Sequence, residues 1–330
     1  MRFSKGREAL FFLGLAIAVG VLWQAYPRSL RVSKVPGLWI FYARATGINE
    51  VLFGRPYTAR GKPAGPVLRL GRLGLVQEAQ TATAGFKGWE WVTTGWNVLG
   101  IHGRVVVRRP APPGDQIVSV AMVDGTLQAV AERFDGSHVR VLRWGSHGWI
   151  DEQRRLPLGI TTLVSGPQDS VWVLTAEPDQ ARLTEIAGGH TQYHTGPLEP
   201  QGTAGFVGGM PVIPYAVGQN TFGYWTGTRH DFSSVYHAAL SVTDTTPLWG
   251  LGVKGMIPYR DGAFQTDKLV PWPRRQDTTP VILTGGGSWI AILDGFSQGQ
   301  WFNVETGQFG PPFQINTPWW AVVRAASLGS

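Results

Sequence analysis

The sequence predicts an all-β fold: a β-propeller, with seven four-stranded blades as the best fit, preceded by one N-terminal transmembrane helix. The main observation is a sequence pattern that recurs six times, in which a tight Gly- or Asp-containing turn joins two short apolar runs. The turns are Lys87-Gly88, Asp124-Gly125, Gln168-Asp169, Gly208-Gly209, Lys254-Gly255 and Gly285-Gly286. Their spacing of about forty residues is typical of propeller blades. A composition with 44 Gly, 23 Pro and 15 Trp, and only 15% charged residues, also favours a turn-rich β protein over a helical bundle.

The clearest repeat unit spans residues 117–158, where four apolar runs are separated by turn residues. Predicted strands lie at 118–122, 127–131, 139–144 and 148–153. The following unit repeats the pattern at 161–165, 171–175, 181–186 and 191–194. Four strands in about forty residues make one blade. Trp89, Trp172 and Trp289 each follow the first turn of a unit, and we expect them to pack between neighbouring sheets.

The two ends of the body predict how the ring closes. Residues 36–41 resemble a second strand that has no first strand before it, and residues 318–323 resemble a first strand with nothing after it. Pairing them would complete a seventh blade and remove two open sheet edges. Six or eight blades also fit, because the unit at 249–277 is irregular and rich in proline. Two stacked β-sandwich domains are the alternative, although no linker-like segment interrupts the body.

An apolar segment at residues 9–26 predicts a membrane anchor. Arg2, Lys5 and Arg7 precede it, and its length corresponds to about 27 Å of helix at roughly 1.5 Å per residue. The predicted organisation is a short cytoplasmic N-terminus (1–8), a transmembrane signal-anchor helix (9–26), a linker (27–35) and the propeller (36–330). This places the protein in the cell membrane as a single-pass protein with its body on the extracytoplasmic side. A cleaved signal peptide and a buried core helix are the alternatives.

The net charge of +7 is unevenly distributed along the chain. Residues 1–34 carry +5, residues 35–114 carry +7, and the remainder carries −5. A nucleic-acid partner is therefore not expected, since the body as a whole is not basic. The basic residues nearest the anchor would face anionic headgroups or plain solvent; they are Arg44, Arg55, Arg60, Lys62, Arg69 and Arg72. The lack of cysteine excludes disulfides and thiolate metal ligands.

The repeated units over about residues 36–325 resemble the bacterial β-propeller repeat superfamily. The resemblance is architectural, because no Gly-His…Trp-Asp, kelch or tryptophan-docking signature recurs in regular copies. It implies the fold and, by analogy, a platform that binds a partner.

Five acids are predicted to follow second strands, on the side of the propeller where the central channel opens: Asp135, Asp179, Asp231, Asp261 and Asp294. Arg133, Arg229 and Arg260 lie beside three of them. Such a ring of carboxylates could bind a cation or a polar ligand such as a glycan. The alternative is that Asp begins these turns because its side chain caps the local backbone. No catalytic residue, cofactor site or metal site is assigned, since the sequence has no G-x-S-x-G elbow, phosphate-binding loop or H-E-x-x-H.

These observations favour a non-catalytic binding or scaffolding module at the cell envelope, with the membrane and an envelope protein or polysaccharide as partners. One alternative is an envelope glycan hydrolase or lyase that uses carboxylates at the channel mouth. Another is an accessory subunit of a membrane complex that docks through an apolar patch at Trp319-Trp320.

Overall fold

The computed structural model describes residues 37–328, apart from gaps at 47–48, 74–82, 87, 124, 157–159, 166–170, 178–179, 186–191, 195–198, 201–203, 218–220, 244, 274–281, 287, 294–297 and 318–321. Within this part every regular element is a β-strand, apart from one-turn 3-10 helices at Val235–His237 and Thr266–Lys268. The predicted all-β class is therefore confirmed. The predicted anchor at 9–26 and the linker at 27–35 lie outside the described residues. Within the described ranges, no helix has the length and apolarity needed to cross a bilayer.

The described strands form seven antiparallel sheets that follow one another along the chain. Sheet 1 contains β1 (Leu38–Thr46), β2 (Asn49–Tyr57) and β3 (Leu68–Arg72). Sheet 2 contains β4 (Thr83–Phe86), β5 (Trp89–Thr93), β6 (Asn97–His102) and β7 (Val105–Pro110). Sheet 3 contains β8 (Asp115–Val123), β9 (Thr126–Arg133), β10 (Val139–Gly145) and β11 (Gly148–Leu156). Sheet 4 contains β12 (Ile160–Ser165), β13 (Val171–Glu177), β14 (Gln180–Glu185) and β15 (Gln192–His194).

The remaining sheets continue in the same way. Sheet 5 contains β16 (Glu199–Pro200), β17 (Gly205–Val207), β18 (Met210–Val217), β19 (Thr221–Trp225) and β20 (Arg229–Asp231). Sheet 6 contains β21 (Ser241–Val242), β22 (Trp249–Gly252), β23 (Gly255–Arg260), β24 (Ala263–Phe264) and β25 (Val270–Pro271). Sheet 7 contains β26 (Ile282–Gly286), β27 (Trp289–Leu293), β28 (Gln298–Asn303) and β29 (Gln308–Gln314). The last strand, β30 (Val322–Leu328), returns to sheet 1.

The return of β30 makes it the first strand of sheet 1. It pairs antiparallel with β1, from Leu38 opposite Leu328 to Ala43 opposite Val322, with a bulge beside Phe41. The predicted pairing of the end of the chain with its beginning is therefore confirmed. The observed strand extends further towards the C-terminus than the predicted 318–323, of which residues 318–321 lie outside the described residues.

Seven apolar clusters join the sheets into a closed cycle of neighbours. Each cluster combines buried side chains from two consecutive sheets, and the last cluster joins sheet 7 to sheet 1. In that cluster Leu38 and Tyr42 of sheet 1 pack with Leu293, Trp301 and Phe313 of sheet 7. First strands of consecutive sheets also contact each other, as β30 contacts β4 and β4 contacts β8. The first strands therefore lie inside the ring and the last strands lie outside, so each sheet buries both of its faces against its neighbours.

Polar side chains also connect neighbouring sheets, because their N–H groups donate to backbone carbonyls across the junction. Trp301 Nε1 donates to Ala59 O at 2.5 Å between sheets 7 and 1, and Trp249 Nε1 donates to Val304 O at 2.8 Å between sheets 6 and 7. Trp149 Nε1 donates to Pro110 O at 2.7 Å between sheets 3 and 2. A buried indole satisfies its only donor in this way while its ring fills the junction.

The recurrent tryptophans only partly follow the prediction. Trp172 is buried between sheets 4 and 5, as predicted. Trp89 is half-buried and stacks on Trp91, with ring centroids 5.8 Å apart, while Trp289 is partly exposed. The difference follows from position, because Trp89 and Trp289 are the first residues of β5 and β27 and lie at the ends of their sheets.

The predicted units agree with sheets 3 and 4 strand by strand but not with sheets 5 and 6. In sheet 6 the Lys254-Gly255 turn joins the second and third strands, not the first and second, because β21 precedes β22. In sheet 5, β19 lies between β18 and β20, so Asp231 does not follow the second strand as predicted. The first strand of sheet 6 has only two residues, which is too short for an alternating apolar pattern to be visible in the sequence.

Candidate functional site

One end of sheet 3 brings together charged residues from three strands. Asp115 begins β8 and lies opposite Arg133, the last residue of β9. Arg140 lies near the start of β10, opposite Ala131. Because neighbouring strands are antiparallel, the start of β8, the end of β9 and the start of β10 all lie at the same end of the sheet.

Asp115 is the buried centre of this cluster. Its Oδ2 accepts hydrogen bonds from Arg140 Nε, at 3.1 Å, and from Arg140 Nη2. Arg140 Nη1 donates to Asp151 Oδ2 at 2.7 Å. Burial alone would lower the pKa of Arg140, but its hydrogen bonds to Asp115 and Asp151 outweigh burial, and the pKa is raised above its usual value. The guanidinium therefore stays charged and holds both carboxylates in place.

The second oxygen of Asp115 is poorly satisfied. Oδ1 is buried and has no hydrogen-bond donor, and Arg133 Nη1 lies 3.7 Å from it. Arg133 is itself loosely held, since its side chain is 41% exposed and it donates to Pro113 O only at 3.5 Å. Gly114 has a φ of +82°, and a Cβ there would lie 3.1 Å from Arg133 Cζ, so glycine is needed for this close approach.

An exposed aromatic pair lies at the same junction of sheets 2 and 3. Trp96 lies between β5 and β6, Phe134 lies between β9 and β10, and both segments are second-to-third connections. The ring centroids are 4.8 Å apart, and the residues are 36% and 48% exposed. Backbone hydrogen bonds fix both segments: Phe134 N donates to Gly114 O at 3.0 Å, and Ala111 N donates to Trp96 O at 2.9 Å. The rings are therefore held in place while remaining accessible.

Asp135 follows Phe134 directly and is exposed. Its Oδ1 accepts from Ser137 N at 2.9 Å, and the hydrogen bonds from Ser137 hold the pKa of the Asp135 carboxyl below its usual value. This is the turn-capping role that was the alternative interpretation of the sequence. Trp96, Phe134, Arg133, Asp135 and Asp115 together form what we call the Trp96–Phe134 surface.

Asp231 and Arg229 form a separate unit on the outer strand of sheet 5. Arg229 Nε donates to both Asp231 oxygens, at 2.9 and 3.1 Å, and Tyr215 Oη donates to Asp231 Oδ1 at 2.5 Å. The hydrogen bonds from Arg229, followed by that from Tyr215, lower the pKa of Asp231. Burial, reinforced by Asp231, raises the pKa of Tyr215. The contacts tie β18 to β20, which is a structural role.

The three described acids of the predicted ring, Asp135, Asp231 and Asp261, lie in three different sheets. Asp135 follows a second strand as predicted, but Asp231 ends a fourth strand and Asp261 lies between a third and a fourth strand, so the prediction is wrong for these two. The reason is the misassigned strands of sheets 5 and 6. Asp261 lies in an exposed turn with a φ of +54°, and Arg260, beside it, is also exposed. Asp179 and Asp294 lie outside the described residues. In the part of the chain that the structure describes, no three His, Asp or Glu side chains are grouped closely enough to hold a metal ion.

Sequence reasoning missed Asp115, Trp96 and Phe134. The available signal was an aromatic residue next to a turn glycine or aspartate, in Gly95-Trp96 and in Phe134-Asp135, about one repeat apart. An aromatic side chain in a turn lies beyond the end of its strand, so it is not directed into the core between the sheets. It therefore indicates a surface contact.

No known protein family and no curated protein matches this sequence. Solved structures do resemble it. Virginiamycin B lyase from Staphylococcus aureus, in a structure with quinupristin, superposes with a TM-score of 0.51 at 12% identity, covering 75% of this chain and 88% of that one. A protein from Lactobacillus plantarum superposes with a TM-score of 0.50 at 11% identity, covering 88% and 98%. The lyase has a β-propeller-like architecture. At such identities the likeness shows the fold alone, and it supports the predicted architectural resemblance.

We predict that replacing Asp115 by Asn destabilises the protein by about 3 kcal/mol, because it breaks a buried ion pair and leaves Arg140 with the more exposed Asp151 as its partner. Urea unfolding of the full chain, followed by tryptophan fluorescence, measures the change. The matched control is Asp135→Asn in the neighbouring turn, which should leave the unfolding midpoint nearly unchanged. Equal effects of the two substitutions would contradict the buried role of Asp115.

Proposed function

We propose that this protein is a seven-bladed β-propeller, anchored in the membrane by residues 9–26, that binds a polysaccharide on the extracytoplasmic side of the cell envelope. The Trp96–Phe134 surface is the proposed binding site, and the role is non-catalytic. The observation that carries this proposal is an exposed aromatic pair, held in place by backbone hydrogen bonds, at the same junction as the buried Asp115 and its arginine partners.

The proposal of seven blades is supported by the way in which the seven described sheets pack on one another in a closed order. Each of the seven described sheets packs on the sheet before it and the sheet after it, and β30 of sheet 1 closes the cycle. A propeller uses this arrangement to leave only short outer edges unpaired. In this reading each sheet is one blade.

The chemistry of the surface fits a neutral sugar. One face of a pyranose ring consists of C–H groups, which can pack on the rings of Trp96 and Phe134. The hydroxyl groups at its edge can donate to Asp135 and accept from Arg133, both of which are accessible. The accessible Arg133 and Asp135 carry opposite charges, and the buried Asp115 is paired with Arg140, so the surface does not favour a strongly charged polymer.

The acids of this surface suit binding better than glycoside hydrolysis. A glycosidase needs a general acid whose pKa is raised, so that it is protonated near neutral pH. The pKa of Asp135 is instead lowered by its hydrogen bonds from Ser137. Asp115 is buried, and its Oδ2 accepts a hydrogen bond from Arg140. Asp135 can therefore accept hydrogen bonds from a ligand but is not poised to donate a proton, and Asp115 is too buried to contact a ligand.

The anchor is supported by the sequence of residues 1–28. A basic start is followed by eighteen residues without charge, and Trp23 and Tyr26 lie where side chains would meet the membrane interface. The short basic N-terminus favours the cytoplasmic side for that end, which puts the propeller outside.

We expect Trp96→Ala and Phe134→Ala each to weaken binding to neutral oligosaccharides by at least about tenfold, equivalent to about 1.4 kcal/mol. The full chain in detergent is titrated with gluco-, manno- and galacto-oligosaccharides in a calorimeter. Tyr236→Ala is the control, because Tyr236 is also an exposed aromatic residue but lies in the segment between sheets 5 and 6. The proposal fails if no neutral oligosaccharide binds, or if the Tyr236 variant loses as much affinity as the Trp96 variant.

The anchor has its own test. We expect the full chain to sediment with membranes and resist high salt, and a chain lacking residues 1–35 to remain soluble, because the apolar segment is the only proposed attachment. Protease added to intact spheroplasts should degrade the body of the full chain. A soluble full chain, or a body protected from the protease, would refute the anchor or its orientation.

A further inference from the structure

The outer strand of sheet 2, β7, presents an open apolar edge. Among the described strands β7 pairs with β6 alone, so its other edge carries unpaired backbone N–H and C=O groups. Its first residues are Val105, Val106 and Val107, and the first two are 55% and 36% exposed. Three consecutive β-branched residues favour an extended conformation and further strand pairing.

The outer strands of sheets 3 to 7 carry features that block such pairing. Strand β29 contains Pro311 and Pro312, which lack backbone donors, and four of the nine residues of β11 are charged. Strands β15 and β20 have only three residues each, and β24 only two. These are the devices by which proteins protect sheet edges. The Val105–Val107 part of β7 has none of them.

Arginines surround this edge. Arg104 precedes Val105 in the exposed turn, and Arg108 follows Val107. Arg108 reaches across to sheet 1, where its Nη2 donates to Leu70 O at 3.1 Å, so the exposed Arg69 and Arg72 of β3 lie next to it. Antiparallel pairing of two copies of β7 would place Arg104 against the Arg108 of the other copy. The like charges disfavour self-association and select an acidic partner.

We propose that β7 binds an extended segment of a partner protein, in which a short apolar centre is flanked by Asp or Glu, as an added strand of sheet 2. The backbone of Val105–Val107 supplies hydrogen bonds, and the flanking arginines supply charge complementarity. This surface is separate from the Trp96–Phe134 surface, and it gives the proposed envelope module a protein partner in addition to its polysaccharide.

The probe is the peptide Glu-Glu-Val-Thr-Val-Thr-Val-Glu-Glu, titrated by fluorescence anisotropy into the full chain in detergent. We expect binding that weakens at least about tenfold when alternate backbone nitrogens of the peptide are methylated, since methylation removes strand pairing but keeps the charges. Val106→Asp should weaken binding to a similar extent, because it places a negative charge against an acidic peptide. Val106→Thr is the matched control that keeps a β-branched side chain, and it should bind within about twofold of the wild type.

Three results would overturn the proposal. Alternate nitrogens can be methylated in two ways, starting from the first or from the second residue of the peptide. The first contradicting result is that both methylated peptides bind as tightly as the unmethylated one, which would mean that charge alone is responsible for binding. The second is loss of binding in both Val106 variants with unchanged thermal stability. The third is tight binding of the full chain to phosphatidylglycerol vesicles through Arg69, Arg72 and Arg104 together with no peptide binding, which would make this rim a membrane-facing surface.

Discussion

The antiparallel pairing of β30 with β1 is the constraint on which the rest of the structure depends. It supplies sheet 1 with its first strand from the far end of the chain, and it places that strand against β4 and β26 of the adjoining sheets. Each hydrogen bond of the pairing contributes only about 1 kcal/mol. The larger consequence is topological, because without β30 the edge of β1 is open and the contact between sheets 7 and 1 loses part of its support.

Closure also determines which loops become neighbours. Trp96 and Phe134 belong to different sheets, and they meet because sheets 2 and 3 pack side by side in the ring. The same junction is held by Arg109, whose guanidinium lies 4.4 Å from the centre of the Trp144 ring, and by the hydrogen bond from Trp149 to Pro110. The proposed binding surface is therefore a property of two blades held together, and no single motif contains it. The open edge of β7 belongs to the same sheet and lies on its outer side.

The sequence predicts the features that depend on residues close together in the chain better than those that depend on strand register or on the packing of two sheets. The strands of sheets 3 and 4 follow from alternation and turns within a few residues, and the predicted closure follows from the unmatched strands at the two ends. Sheet 6 was misassigned because a two-residue strand at Ser241–Val242 has no pattern to recognise. The turn-capping role of Asp135 is local, and the sequence therefore offers it as an alternative. The Asp115–Arg140 pair depends on the register of three strands, and the Trp96–Phe134 pair depends on the packing of two sheets, so neither is visible in a linear pattern.

Cross-linking of β1 to β30 tests ring closure directly, because the chain has no cysteine of its own. In one double-cysteine variant, Trp39 and the facing Ser327 are both replaced by Cys. In the other, Ile40 and the facing Ala326 are both replaced by Cys. Adjacent pairs of an antiparallel ladder alternate between wide and narrow spacing, and the narrow pair, with Cα atoms about 4.5 Å apart, allows a disulfide. We expect one of the two variants to form an intramolecular disulfide on mild oxidation of the folded protein, seen as a faster-migrating monomer on non-reducing gels. Failure of both variants to cross-link within the monomer, or cross-linking only between molecules, would contradict the closed ring.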